Sequence, residues 1–106
     1  MKSLNLFKFV SETSVQVEKC VTAIKEGTSY QEVKHIENYA IGYIDCMATM
    51  LNTMICKENN DITGDLDECI DNLGYKVYNA ALNKAIESNE DCNVIKKLGD
   101  LRDKCR

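Results

Sequence analysis

Apolar residues recur at intervals of three and four along the whole chain, and no stretch alternates apolar with polar positions. That is the period of a helix and not of a strand. The pattern predicts an all-α protein, a compact antiparallel bundle of about four helices in a single domain spanning residues 1–106. Helix 1 is expected from about Leu4 to Lys25, with Phe7, Val10, Ser14, Val17, Val21 and Ile24 on one face and Gly27 just past its end. Helix 2 opens at "SYQE", where Ser29 and Glu32 have the spacing of a capping box, and runs to about Cys56. Helix 3 is expected from about Asp65 to Ser88, with Leu66, Ile70, Leu73, Val77 and Ala81 inward. Gly74 inside it costs about 1 kcal/mol against alanine. "SNED" turns the chain into helix 4, Glu90 to Cys105, with Asn89 as its cap and Val94, Leu98, Leu101 and Cys105 inward.

Helix 2 is the most apolar of the four. Val33, Ile36, Ala40, Tyr43, Ile44, Met47, Met50, Leu51, Met54 and Ile55 cover more than half its circumference, leaving a narrow polar strip of Lys34, Asn38, Asp45, Thr49 and Asn52. A helix that apolar needs more than one neighbour, so helix 2 is expected to be central, with helices 1, 3 and 4 around it. Helix 4 is too short to cover all of it. At the uncovered level Tyr43, Met47, Met50, Leu51 and Met54 form a methionine-rich stripe. Methionine is unbranched and shape-tolerant, so such a stripe lines an adaptable apolar pocket or plugs an irregular core.

Composition narrows the picture. The chain has 106 residues, 44% of them apolar and 28% charged, as in ordinary globular domains. A net charge of −4 argues against nucleic acid and anionic membrane surfaces as partners. No apolar run has the length of a membrane span.

Six cysteines, none in a C-x-x-C pair, read as a disulfide framework and hence as secretion. The first ten residues do not resemble a signal peptide, so the expectation takes a leader to have been removed. With antiparallel helices and a rise of about 1.5 Å per residue, Cys20 and Cys92 share one level, Cys46 and Cys105 a second, and Cys56 and Cys69 a third. Disulfide partners must have Cα atoms within about 7 Å. The expected links are therefore Cys20–Cys92, Cys46–Cys105 and Cys56–Cys69.

Candidate chemistry is sparse. "NNDITGDLDECI" partly resembles an EF-hand calcium loop, with Asn59, Asp61, Thr63, Gly64, Leu66 and Asp67 at suitable positions. Ile70 stands where the bidentate glutamate belongs, so no metal or other cofactor is expected. His35 is the only histidine and has no cysteine or second histidine at helical spacing. No glycine-rich phosphate loop or other catalytic motif occurs, and the chain is not expected to be an enzyme. Tyr75, Tyr78, Leu82 and Ile86 form a second ridge on helix 3, which is either covered by helix 4 or offered to a protein partner or a second copy.

Two functions fit these features. One is a secreted carrier or scavenger of a small hydrophobic ligand, held between helices at Tyr43, Met47, Met50, Leu51 and Met54. The other is a secreted interaction protein, an effector or signal of venom, salivary or pheromone-like type, acting through its surface.

Overall fold

A computed structural model describes residues 2–55 and 63–105, with side chains at 8–52 and 67–105. It contains four helices in chain order: α1 Lys2–Glu26, α2 Tyr30–Ile55, α3 Thr63–Glu87 and α4 Cys92–Lys104. No strand occurs among the described residues. No described helix is long and apolar enough to cross a membrane.

The main core lies among the first three helices. Val17, Val21 and Ile24 of α1 meet Val33, Ala40, Ile44, Met47 and Leu51 of α2, and Leu73, Val77 and Ala80 of α3 complete the cluster. A second cluster lies on the other side of α3, where Ala81, Leu82 and Ala85 pack against Leu98 of α4. The helix that touches all three others is therefore α3, not α2. Alanine side chains on both of its faces let neighbours approach from two directions. Among the described residues α4 makes no close backbone approach to α1 or α2.

That arrangement overturns two of the expected disulfides, Cys20–Cys92 and Cys46–Cys105. Cys20, Cys46, Cys69, Cys92 and Cys105 are all free thiols. Cys20 is on α1 and Cys92 on α4, two helices that never come within linking distance of each other. Cys105 turns away from α2 and toward α3. Its thiol donates to the Leu101 carbonyl at 3.5 Å and fills the space above Gly74. A Cβ on Gly74 would lie 2.9 Å from that sulfur, which explains a glycine in mid-helix. Burial raises the pKa of the Cys20 and Cys105 thiols, so both favour the neutral form. They behave as small apolar groups. Cys56 lies outside the described residues, so its expected link to Cys69 is not described.

Local signals set the helix ends. Ser29 Oγ accepts from Glu32 N at 3.3 Å, the first half of the expected box. The Glu32 carboxylate reaches one residue further back than expected, accepting from Thr28 N at 3.5 Å and from its hydroxyl at 2.5 Å. Between α1 and α2 the chain turns tightly at Gly27. A Cβ there would fall on Val33 Cγ1, so the turn needs glycine to let α2 close on α1.

The α3–α4 turn also differs from expectation. Asn89 ends α3 rather than capping α4. It adopts φ 58°, while Glu90 N donates to Ala85 O and Asn89 N to Ile86 O. This is a Schellman ending with asparagine at its left-handed position. The cap of α4 is Asp91, whose side chain accepts from Asn93 N at 2.8 Å.

Candidate functional site

Because α4 rests on α3 alone, a groove remains between α4 and α2, with Tyr78 of α3 along its floor. Its volume is about 480 Å3. The wall from α2 carries Tyr30, Gln31, Lys34, Glu37, Asn38, Ile41 and Asp45, and the wall from α4 carries Val94, Lys97, Leu98 and Leu101. Much of the α2 wall is the polar strip that periodicity assigns to open solvent.

One end of the groove is fixed by hydrogen bonds. Tyr30 N donates to Ser88 Oγ at 2.8 Å, and that hydroxyl donates to Lys84 O at 2.7 Å. Gln31 Nε2 donates to Glu90 Oε1 at 3.0 Å. The start of α2 is thereby tied to the turn that launches α4.

The distinctive group is Glu37. It is 7% exposed, and Tyr30 Oη donates to its Oε1 at 3.0 Å. Burial raises its pKa above the ordinary carboxylate value, opposed by the Tyr30 hydrogen bond and the charge of Lys97. Burial also pushes the Tyr30 phenol far above its usual range, with the Glu37 charge adding to the effect. Tyr78 shifts upward for the same two reasons, in the same order, with Cys105 and Asp45 adding smaller contributions.

A pH dependence follows. Tyr30, Lys34 and Asp45 from α2, Tyr78 from α3 and Lys97 from α4 are the titratable groups sharing the groove. Between the ordinary carboxylate pKa and its raised value, Glu37 binds more protons in the folded than in the unfolded chain. Stability therefore falls as pH rises through that window, and the full cost is present above it. Glu37→Gln keeps an acceptor for Tyr30 and removes the charge. The variant is expected to melt higher than the native protein at pH 7.5, with the gap closing by pH 4. Paired thermal melts across that range check it, since subtracting the two curves cancels the other groups. A gap that is absent or inverted at pH 7.5 contradicts the assignment.

The residues singled out from the sequence do not gather into one site. Met47 and Leu51 are closed into the main core. Met50, on the same helix, is 46% exposed. Tyr43 is half-buried, its ring edge-on to Tyr39 with centroids 5.0 Å apart. Met54 lies outside the residues with described side chains.

The ridge on α3 is mostly covered by α4. Leu82 is interior, packed with Leu98, and so is no partner surface. Tyr78 floors the groove, and the Arg102 guanidinium lies 6.0 Å above the centre of the Tyr75 ring. Only Ile86 of the four remains largely exposed.

His35 is exposed on α2. Of the calcium-like stretch, Asn59 and Asp61 fall outside the described residues, and Thr63, Gly64, Leu66 and Asp67 lie within α3. Among the described residues no cluster of three or more histidine, cysteine or acidic side chains is placed to hold a metal ion.

Sequence reasoning missed Glu37 and Tyr30, although the signal was present. Val33, Glu37, Ala40, Ile44, Met47 and Leu51 step by four and three, so Glu37 occupies a core register. A carboxylate at such a position marks a buried charge.

The chain matches no family model, no curated protein and no solved structure.

Proposed function

We propose that this chain is a non-enzymatic binding protein that holds a small hydrophobic ligand between its helices, in the groove of α2 and α4. The observation that carries the reading is the groove itself. Its volume of about 480 Å3 lies within the range of small-molecule sites, typically about 300–1,000 Å3. Ile41, Val94, Leu98 and Leu101 give it apolar walls, and polar groups from Tyr30 to Asp45 run along its α2 side. We place the ligand here rather than on the methionine stripe because Met47 and Leu51 are already in contact with other core side chains. The compartment has no part in this reading. With the five described thiols free, secretion loses the disulfide framework that suggested it.

Titration with the apolar fluorophore N-phenyl-1-naphthylamine tests the proposal. Saturable one-site binding, displaced by octanol, is expected. Leu101→Asp, placed on the wall of the groove, weakens it at least tenfold while far-UV circular dichroism is unchanged. A titration without saturation overturns the proposal and favours action through the protein surface. Unaltered binding by the Leu101→Asp protein also overturns the assignment to this groove.

A further inference from the structure

We propose that the groove selects a protonated amine, a small alkyl- or arylammonium whose nitrogen sits on Glu37 and whose apolar part lies along Ile41, Leu98 and Leu101. This rests on the reading of the groove as a ligand site and names the ligand's chemistry.

The reason is an incompletely satisfied charge. Glu37 is 7% exposed, and its one hydrogen bond among the described residues is the one Tyr30 Oη donates to Oε1. No described residue donates to Oε2. An ionised carboxylate offers about four acceptor directions, and leaving them empty away from water is costly. No cation supplied by the protein forms an ion pair with it among the described residues. Lys97 attracts it from a distance but stays exposed on the groove's edge.

An ammonium answers this arrangement better than other ligands. It brings up to three N–H donors and the compensating charge together. The rings of Tyr30 and Tyr78 lie on the same groove, and aromatic faces attract cations. An alcohol supplies one hydrogen bond and leaves the charge unbalanced. A carboxylate ligand meets Glu37 at depth, while Lys34 and Lys97 sit at the solvent-screened edge. A metal ion lacks ligands. Asp45, the other acid in the groove, is eight residues further along α2, roughly 12 Å away along the helix axis. The overall charge of −4 also favours approach of a cation.

Isothermal titration of octylamine, octanol and octanoate at pH 7 decides it, since the three share a chain length and differ in head group. Octylamine is expected to bind at least tenfold more tightly than octanol, with octanoate weakest. Glu37→Gln is expected to erase the octylamine advantage over octanol, and saturable binding of the uncharged fluorophore N-phenyl-1-naphthylamine is the check that the groove still forms. The ranking on the native protein stands without any variant. Equal affinity for octylamine and octanol, tightest binding of octanoate, or an octylamine advantage that survives Glu37→Gln overturns the amine assignment and leaves the carrier reading in place. Binding of none of the three overturns both.

Discussion

Replacing Lys84 by methionine is expected to destabilise the protein by about 2–4 kcal/mol, from the two acceptors it strands. For a domain of this size that is a fall in Tm on the order of 10–25 °C. Lys84 is 5% exposed. Its Nζ donates to Lys25 O at 3.0 Å and to Gly27 O at 2.8 Å. The last carbonyls of a helix have no partners within it and carry partial negative charge. One ammonium from α3 thus satisfies the end of α1 and fastens α3 to the turn where α2 begins. Methionine retains the apolar stem and the volume, so the loss isolates the hydrogen bonds and the charge. The third partner is Glu87 at 3.3 Å, whose side chain is two-thirds exposed. With one partner this exposed to solvent the pair contributes little, so Glu87→Gln is expected to shift Tm by only a degree or two, well under about 0.5 kcal/mol. Urea unfolding of both variants measures the contrast. Equal, small losses would mean that the α1 carbonyls find other donors.

Lys84 and Glu37 show why the fold was legible in this sequence and the site was not. Four helices follow directly from the three-and-four spacing, and the turns follow from Gly27 and the "SNED" stretch. Periodicity does not report which helix is central. Helix 2 looked central because its apolar arc is wide, yet Met50 within that arc faces outward, 46% exposed. The actual hub, α3, also presents Ala80 and Ala85, which neither expected face of helix 3 included. Small residues permit close packing without raising apolar content, so a count of bulky residues overlooks them. The Cys20–Cys92 and Cys46–Cys105 pairings failed for a related reason. Equal height along parallel axes brings two residues together only if their helices are neighbours, and α4 has α3 alone as its backbone neighbour. The groove is a consequence of the same packing, as one short helix on one side of α3 leaves the polar strip of α2 facing it across a gap. The two buried charges occupy regular core positions. Leu73, Val77, Ala80 and Lys84 step by four, three and four on α3, as the row through Glu37 does on α2. Polar residues in a core register are the feature of this sequence that points beyond simple packing.

The methionines supply the second large effect, and with it a test of where a ligand sits. Met47→Ala is expected to cost about 2–5 kcal/mol, the usual range for truncating a buried methionine. Met50→Ala, three residues on, is expected to stay within about 0.5 kcal/mol of the native protein. Met47 is fully buried among side chains of the main core, whereas Met50 is nearly half exposed. Deleting the Met47 side chain removes its transfer free energy and leaves a void that three packed helices close only in part. Deleting that of Met50 exposes little new surface, and alanine is the better helix former. Chemical denaturation of the two variants reads the difference as a shift in midpoint at constant slope. Similar losses at both positions would show that the outer side of α2 is covered by something beyond the four helices. Ligand binding then separates two locations. If a methionine-lined pocket held the ligand, Met50→Asp would weaken binding in a protein that still folds. With the ligand between α2 and α4, Met50→Asp leaves affinity for N-phenyl-1-naphthylamine unchanged while Leu101→Asp reduces it, because Leu101 lines that groove and Met50 does not.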